Sequence, residues 1–150
     1  MLARDLEILL MQIQYPGMPK LESNITRAWL RTYGANYDRV EFNTRVGKGQ
    51  DIQPGVTDAT AQQFSNLTRK RIDIAAYIGS LVDLVEVKPR ASMGAIGQLL
   101  GYRHLWQEDF PAIAVRLLIE IAQIVDQDVR RASAAQGVTV LQLEPEEHKA

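Results

Sequence analysis

Apolar residues recur three and four apart from Ala3 to Gln14, where Leu6, Leu9, Leu10 and Ile13 share a face before Pro16-Gly17. This spacing predicts an amphipathic helix. A second helix is predicted from about Leu21 to Tyr33, with Ile25, Trp29 and Leu30 on one side and Gly34 as its stop. The period then shortens to two: Val40, Phe42, Thr44 and Val46 alternate with Arg39, Glu41 and Arg45, so Tyr37 to Val46 reads as a strand. Gly47 to Asn66 is polar and holds Gly47, Gly49, Pro54 and Gly55. A long loop is expected there.

Arg71 to Ile78 and Leu81 to Lys88 read as two strands joined by a Gly79-Ser80 hairpin turn, with Pro89 closing the second. A helix from Ser92 to Gln107, an apolar strand from Ala112 to Ile121, a helix from Asp126 to Gln136 closed by Gly137, and a strand from Val138 to Leu143 follow. Glu144 to Ala150 is expected to be a loose acidic tail. The order α-βββ-α-β-α-β predicts an α/β fold with a central mixed sheet flanked by helices. Its hairpin strands should pair antiparallel, and the later strands, reached through helices, parallel.

Composition narrows the picture. With 150 residues, 46% of them hydrophobic and 23% charged, one domain is expected over 1–150, preceded within it by a helical extension at 1–20. The absence of cysteine excludes disulfides, zinc-cysteine sites and iron-sulfur clusters, and fits a reducing, cytoplasmic setting. Charge interrupts the short apolar run at Leu6 to Met11, so neither a signal peptide nor a membrane span is expected. The net charge of -1 argues against a uniformly basic surface, but Arg69-Lys70-Arg71 forms a local basic run. Local potential, more than net charge, governs phosphate binding. A solvated strand start explains the same run.

Candidate chemistry comes from charges that interrupt apolar strands. Alternation puts Val82, Leu84, Glu86 and Lys88 on one face of the second hairpin strand, and Leu81, Asp83, Val85 and Val87 on the other. Both faces are mostly apolar, so the strand is central, and Glu86 and Lys88 are costly to bury without partners. An ion pair at a strand end would explain these two alone. Asp73 interrupts the neighbouring strand, Ile72 to Ala76, and the hairpin brings it beside Glu86. Two carboxylates can hold a hard cation, and a lysine can orient or deprotonate its water and offset charge growing on phosphate. Gln98 and Tyr102, four apart, share a face of the next helix, as a site pair or as a plain polar stripe. Gly94, Gly97 and Gly101 weaken that helix, which predicts a close approach to another backbone or a ligand.

These residues resemble the PD-(D/E)xK nuclease superfamily. Asp73 matches its metal-binding aspartate, Glu86-Val87-Lys88 its acid-x-lysine motif, and Gln98 with Tyr102 the Gln-x-x-x-Tyr motif of RecB-like members; Holliday-junction-resolvase-like members share the core pattern. The likeness extends over roughly Leu21 to Leu143 and implies a restriction-endonuclease-like fold. It implies Mg2+ or Mn2+ bound by Asp73, Glu86 and the Val87 carbonyl, with Glu22 of the first core helix as a further ligand. Glu22 can equally complement a helix N-terminus. Lys88 would act on the water, Gln98 would position Lys88 or substrate, and Tyr102 would support the site or contact the strand. Arg69, Lys70, Arg71, Arg90 and Arg103 would contact phosphates. Ile72 stands where a proline is frequent, and the lack of cysteine separates the chain from iron-sulfur RecB-like relatives.

The implied activity is metal-dependent hydrolysis of DNA, by an endonuclease sooner than an exonuclease, in repair, recombination or mobile-element and phage DNA processing. A homodimer or a subunit of a larger DNA-processing assembly would suit it. The alternative is an inactive nuclease-like module that binds nucleic acid or a protein partner. Other chemistries lack support: His104 and His148 have no metal-spaced histidine partner, and Gly47-Lys48-Gly49 lacks the spacing of a phosphate loop. Trp29 and Trp106 are expected in the core.

Overall fold

The computed structural model describes residues 1–50, 55 and 57–149. In chain order the elements are α1 (Ala3–Leu10), α2 (Lys20–Tyr33), a 3-10 turn (Gly34–Asn36), β1 (Arg39–Val46), α3 (Asp58–Thr68), β2 (Lys70–Ile78), β3 (Leu81–Arg90), α4 (Met93–Asp109), β4 (Ala114–Ile124), α5 (Gln127–Ala135) and β5 (Val138–Gln142). The five strands form one sheet in the order β1-β2-β3-β4-β5. The β1–β2 and β2–β3 pairs are antiparallel and the β3–β4 and β4–β5 pairs are parallel, as the connections dictate. The expected α/β architecture is therefore present, with one helix more than anticipated. No helix among the described residues is long and apolar enough to cross a membrane.

Each face of the sheet has its own core. On one, Ile25, Trp29 and Leu30 of α2 pack on Ile74, Ala76, Val85, Val87, Ile119 and Ile121, and Leu6, Leu9 and Leu10 of α1 close the edge. On the other, Leu99, Tyr102 and Trp106 of α4 cover Ala75, Tyr77, Val82, Leu84 and Leu118, while Val129 of α5 meets Ala122 and Val140. Trp29 and Trp106 are both fully buried. Continuous apolar runs in β2, β3 and β4 are what burial on two faces requires.

Four expectations change. Residues 58–68 form α3 where a loop was expected. Thr57 caps it by accepting the Thr60 N–H at 3.3 Å, Asp58 sits in its first turn, and alanines and glutamines favour the helix. Residues 51–54 and 56 of that expected loop lie outside the described residues.

Pro89 does not end β3. The ladder to β4 continues through Arg90↔Ile124, and the Ala91 N–H reaches the Ile124 carbonyl at 2.9 Å. Pairing with β2 has already stopped at Ile74↔Val85, so β3 has an open side where a residue without an N–H is tolerated.

The C-terminal segment is docked. Glu146 N–H donates to the Asn24 carbonyl at 2.9 Å, Arg27 donates to the Glu146 carbonyl at 2.7 Å, and Arg31 grips the Glu146 carboxylate at 2.7 and 2.8 Å. Arg27 is 1% exposed and also donates to the Gln12 and Ile13 carbonyls, which turns the chain out of α1 at Leu10.

No second backbone approaches the glycines of α4, which leaves open space there for a ligand. A side chain at Gly97 or Gly101 would meet nothing within 4 Å, and one at Gly94 only the Ser92 hydroxyl at 3.8 Å.

Candidate active site

The site forms where the central strands part. β1 keeps its register with β2 through Phe42↔Ile74 and Thr44↔Ile72, but Asn43 between them has φ +57°. The β2–β3 ladder stops at Ile74↔Val85. Beyond that pair the Asp73 carboxylate replaces a backbone acceptor, with its Oδ2 taking the Val87 N–H at 2.8 Å. A ladder break of this kind re-aims a side chain and opens room beside it.

Asp73 and Glu86 hydrogen-bond to each other, and Lys88 Nζ stands 3.5 Å from Glu86 Oε1. Glu86 is 4% exposed, and its Oε2 is buried without a partner. Burial pushes the Glu86 carboxyl up to about 8; the Asp73 charge adds to the rise and Lys88 opposes it. Burial raises Asp73 as well, against the Val87 N–H, the Glu86 hydrogen bond and Lys88, which hold it down. Near neutral pH burial and mutual repulsion therefore oppose ionising both carboxyls at once. Two acids brought this close ionise together more readily where a cation offsets their charge.

Helix α4 places its own pair over the same spot. Gln98 hydrogen-bonds to the Tyr102 hydroxyl, and burial with the charges of Glu86 and Asp73 pushes that phenol up to about 12. Ser92 orients the helix by accepting the Ala95 N–H at 3.2 Å. Asp73, Glu86, Lys88, Gln98 and Tyr102, drawn from three elements, thus converge.

Glu22 behaves differently. It lies in the first turn of α2, the helix packed on the opposite face of the sheet, and its charge raises Asp73 slightly. Among the described residues no group of three or more His, Cys, Asp or Glu side chains comes together as a metal cluster. Asp73 and Glu86 are the two carboxylates that meet, and Glu22 is near enough for its charge to act on Asp73.

The basic residues divide. Arg69 donates to the Gly47 carbonyl at 2.6 Å and the Arg45 carbonyl at 3.3 Å, and its Nη2 lies 3.5 Å from Asp109. It ties β1 to the end of α4. Lys70, Arg90 and Arg103 are exposed, and Arg71 is half-buried.

Sequence reasoning missed two acids. Glu120 of β4 lies opposite Glu86 in the parallel ladder and is fully buried; its Oε1 accepts the Ser92 N–H at 2.9 Å. A lone acid inside the apolar run Leu117 to Ala122 was the available signal. Asp83, also fully buried, takes Arg116 at 2.9 and 2.6 Å, the Tyr37 hydroxyl at 2.6 Å and the Leu117 N–H at 3.1 Å. Every one of these contacts lies at the other end of β3, so Asp83 fastens the sheet.

No family model matches the sequence, and no curated protein matches it closely. Among solved structures it is similar to a protein of unknown function, AF1548, at 9% identity and TM-score 0.50, covering 80% of this chain and 56% of that one. It is also similar to a repair endonuclease from Pyrococcus abyssi (18% identity, TM-score 0.42, 70% of this chain and 40% of that one). An EndoMS–dsDNA complex gives 14% identity and TM-score 0.45, over 89% of this chain and 49% of that one. The chain spans about half the length of these structures. At such identities the likeness concerns the fold alone.

Proposed function

We propose that the protein is a metal-dependent nuclease that hydrolyses DNA phosphodiester bonds, an endonuclease before an exonuclease, in repair, recombination or mobile-element DNA processing. The observation that carries this reading is the meeting of half-buried Asp73 with buried Glu86 between two strands, with the Lys88 ammonium 3.5 Å from Glu86.

The residues fit Mg2+ or Mn2+. Both donors are hard oxygens, Glu86 Oε2 is buried and unpartnered, and a cation would offset both the burial of Glu86 and its repulsion by Asp73. Mg2+ is commonly held by one or two carboxylates and otherwise keeps water or phosphate, so a third acid is not required. Asp73, Glu86 and the Val87 carbonyl would hold the ion. A bound divalent cation supplies a polarised phosphate and a more acidic water. Lys88, at the strand end and 31% exposed, orients that water and faces the charge that develops on phosphate. Gln98 and Tyr102 fix the far wall, and Arg90 and Arg103 offer exposed charge for the strand.

The test is incubation of the pure protein with single-stranded, duplex and branched DNA, in Mg2+ or EDTA, beside Lys88→Ala. Cleavage that needs both the ion and Lys88 supports the reading. No cleavage with either metal, or equal cleavage by Lys88→Ala, sinks it and leaves a module that binds without cutting.

A further inference from the structure

We propose that Glu120 is a positioning residue of this site, which receives the Lys88 ammonium once a cation engages Glu86. The inference rests on the nuclease reading above. Paired positions of a parallel ladder project to the same face, so Glu120, opposite Glu86, shares a face with Lys88, whose own partner is Ala122.

Glu120 is 0% exposed, and only one of its oxygens has a partner. Oε1 accepts the Ser92 N–H at 2.9 Å, whereas Oε2 is buried with none. A buried, half-satisfied carboxylate is expensive to maintain for packing alone. Burial raises the Glu120 carboxyl, and the Ser92 N–H and then the Lys88 charge oppose the rise.

Lys88 is not locked in place. Its 3.5 Å separation from Glu86 is beyond a good hydrogen bond, and an ammonium has three donors on a flexible stem. A cation on Glu86 repels the ammonium, and the bare Glu120 oxygen one strand away is where it can go. Glu120 also holds the residue that caps α4, so the same side chain sets both Lys88 and the helix bearing Gln98 and Tyr102.

Glu120→Gln separates these roles, because its amide oxygen still accepts from Ser92 while the charge is gone. We expect kcat on DNA to fall about 10–100-fold, the usual cost of losing such a supporting partner. KM and calorimetric Mg2+ affinity should change little, and the variant should unfold no earlier than wild type. A crystal structure of the wild-type protein with Ca2+ should show Lys88 Nζ within hydrogen-bond distance of Glu120. Wild-type kcat in Glu120→Gln, loss of its Mg2+ binding, or Lys88 beyond reach of Glu120 in the Ca2+ structure overturns the proposal alone. A wild-type chain that neither binds Mg2+ nor cuts overturns the nuclease reading with it.

Discussion

The raised titration of Glu86 has a thermodynamic signature. Glu86 ordinarily titrates near 4.5 and in the folded protein near 8, so between those values the native state binds more protons than the unfolded chain. The stability it contributes is complete below pH 4.5 and is lost as pH rises through about 8. Thermal melts in EDTA across this window should show a decline that Glu86→Gln flattens, since an amide stays neutral throughout. In the nuclease reading Mg2+ would replace the proton on Glu86, and calorimetry should then show binding tightening over the same pH range. Lys88→Ala should keep Mg2+ binding and lose at least about 100-fold in cleavage rate, the scale of a positioned proton-transfer group. Asp83 gives a contrasting case. Asp83→Ala should cost about 1–3 kcal/mol in urea unfolding, because it strands the buried Tyr37 hydroxyl, whereas Arg116, 38% exposed, returns to water. It should leave the chemistry of the site untouched.

At the scale of elements, the C-terminal segment is a strap across α2. Its hold depends on backbone more than on charge. Glu146→Ala removes an ion pair with Arg31, which is 57% exposed, and should cost under about 1 kcal/mol. Ending the chain at Leu143 also removes the Glu146 carbonyl from the buried Arg27 guanidinium and the Glu146 N–H from Asn24. The loss of these two hydrogen bonds, one of them from a charged guanidinium, should raise the cost to about 2–3 kcal/mol, read from the same unfolding curves. The helices and strands themselves were largely legible: α2, β1, the hairpin, α4, β4, α5 and β5 fall close to their expected ranges. Helix α3 was not, because Ala61 is the one buried position among its described side chains and so they form no buried apolar stripe. Pro89 misled for a related reason: whether a strand needs that N–H depends on whether β2 still pairs beside it.

For the whole molecule, a net charge of -1 leaves the proposed DNA binding to local clusters, so affinity should fall with salt. Arg90→Ala and Arg103→Ala should each reduce the slope of log affinity against log salt by about one if each meets a phosphate. Arg69→Ala should act through stability, since its guanidinium is spent on Gly47, Arg45 and Asp109. Fluorescence anisotropy at several salt concentrations separates the two behaviours.

By itself the sequence determined the period of each element, the antiparallel hairpin, and the three charged positions, Asp73, Glu86 and Lys88, that break apolar strands. Those signals are local: side-chain alternation and turn residues act over a few positions. Only the tertiary structure decided which acids meet. It set Glu22 on the helix of the other face, brought Glu120 beside Glu86 through a parallel pairing 34 residues distant in sequence, and gave Arg69 to the scaffold. The physical reason is that a carboxylate's partners are set by strand register and crossover, and its charge state by the water those contacts exclude.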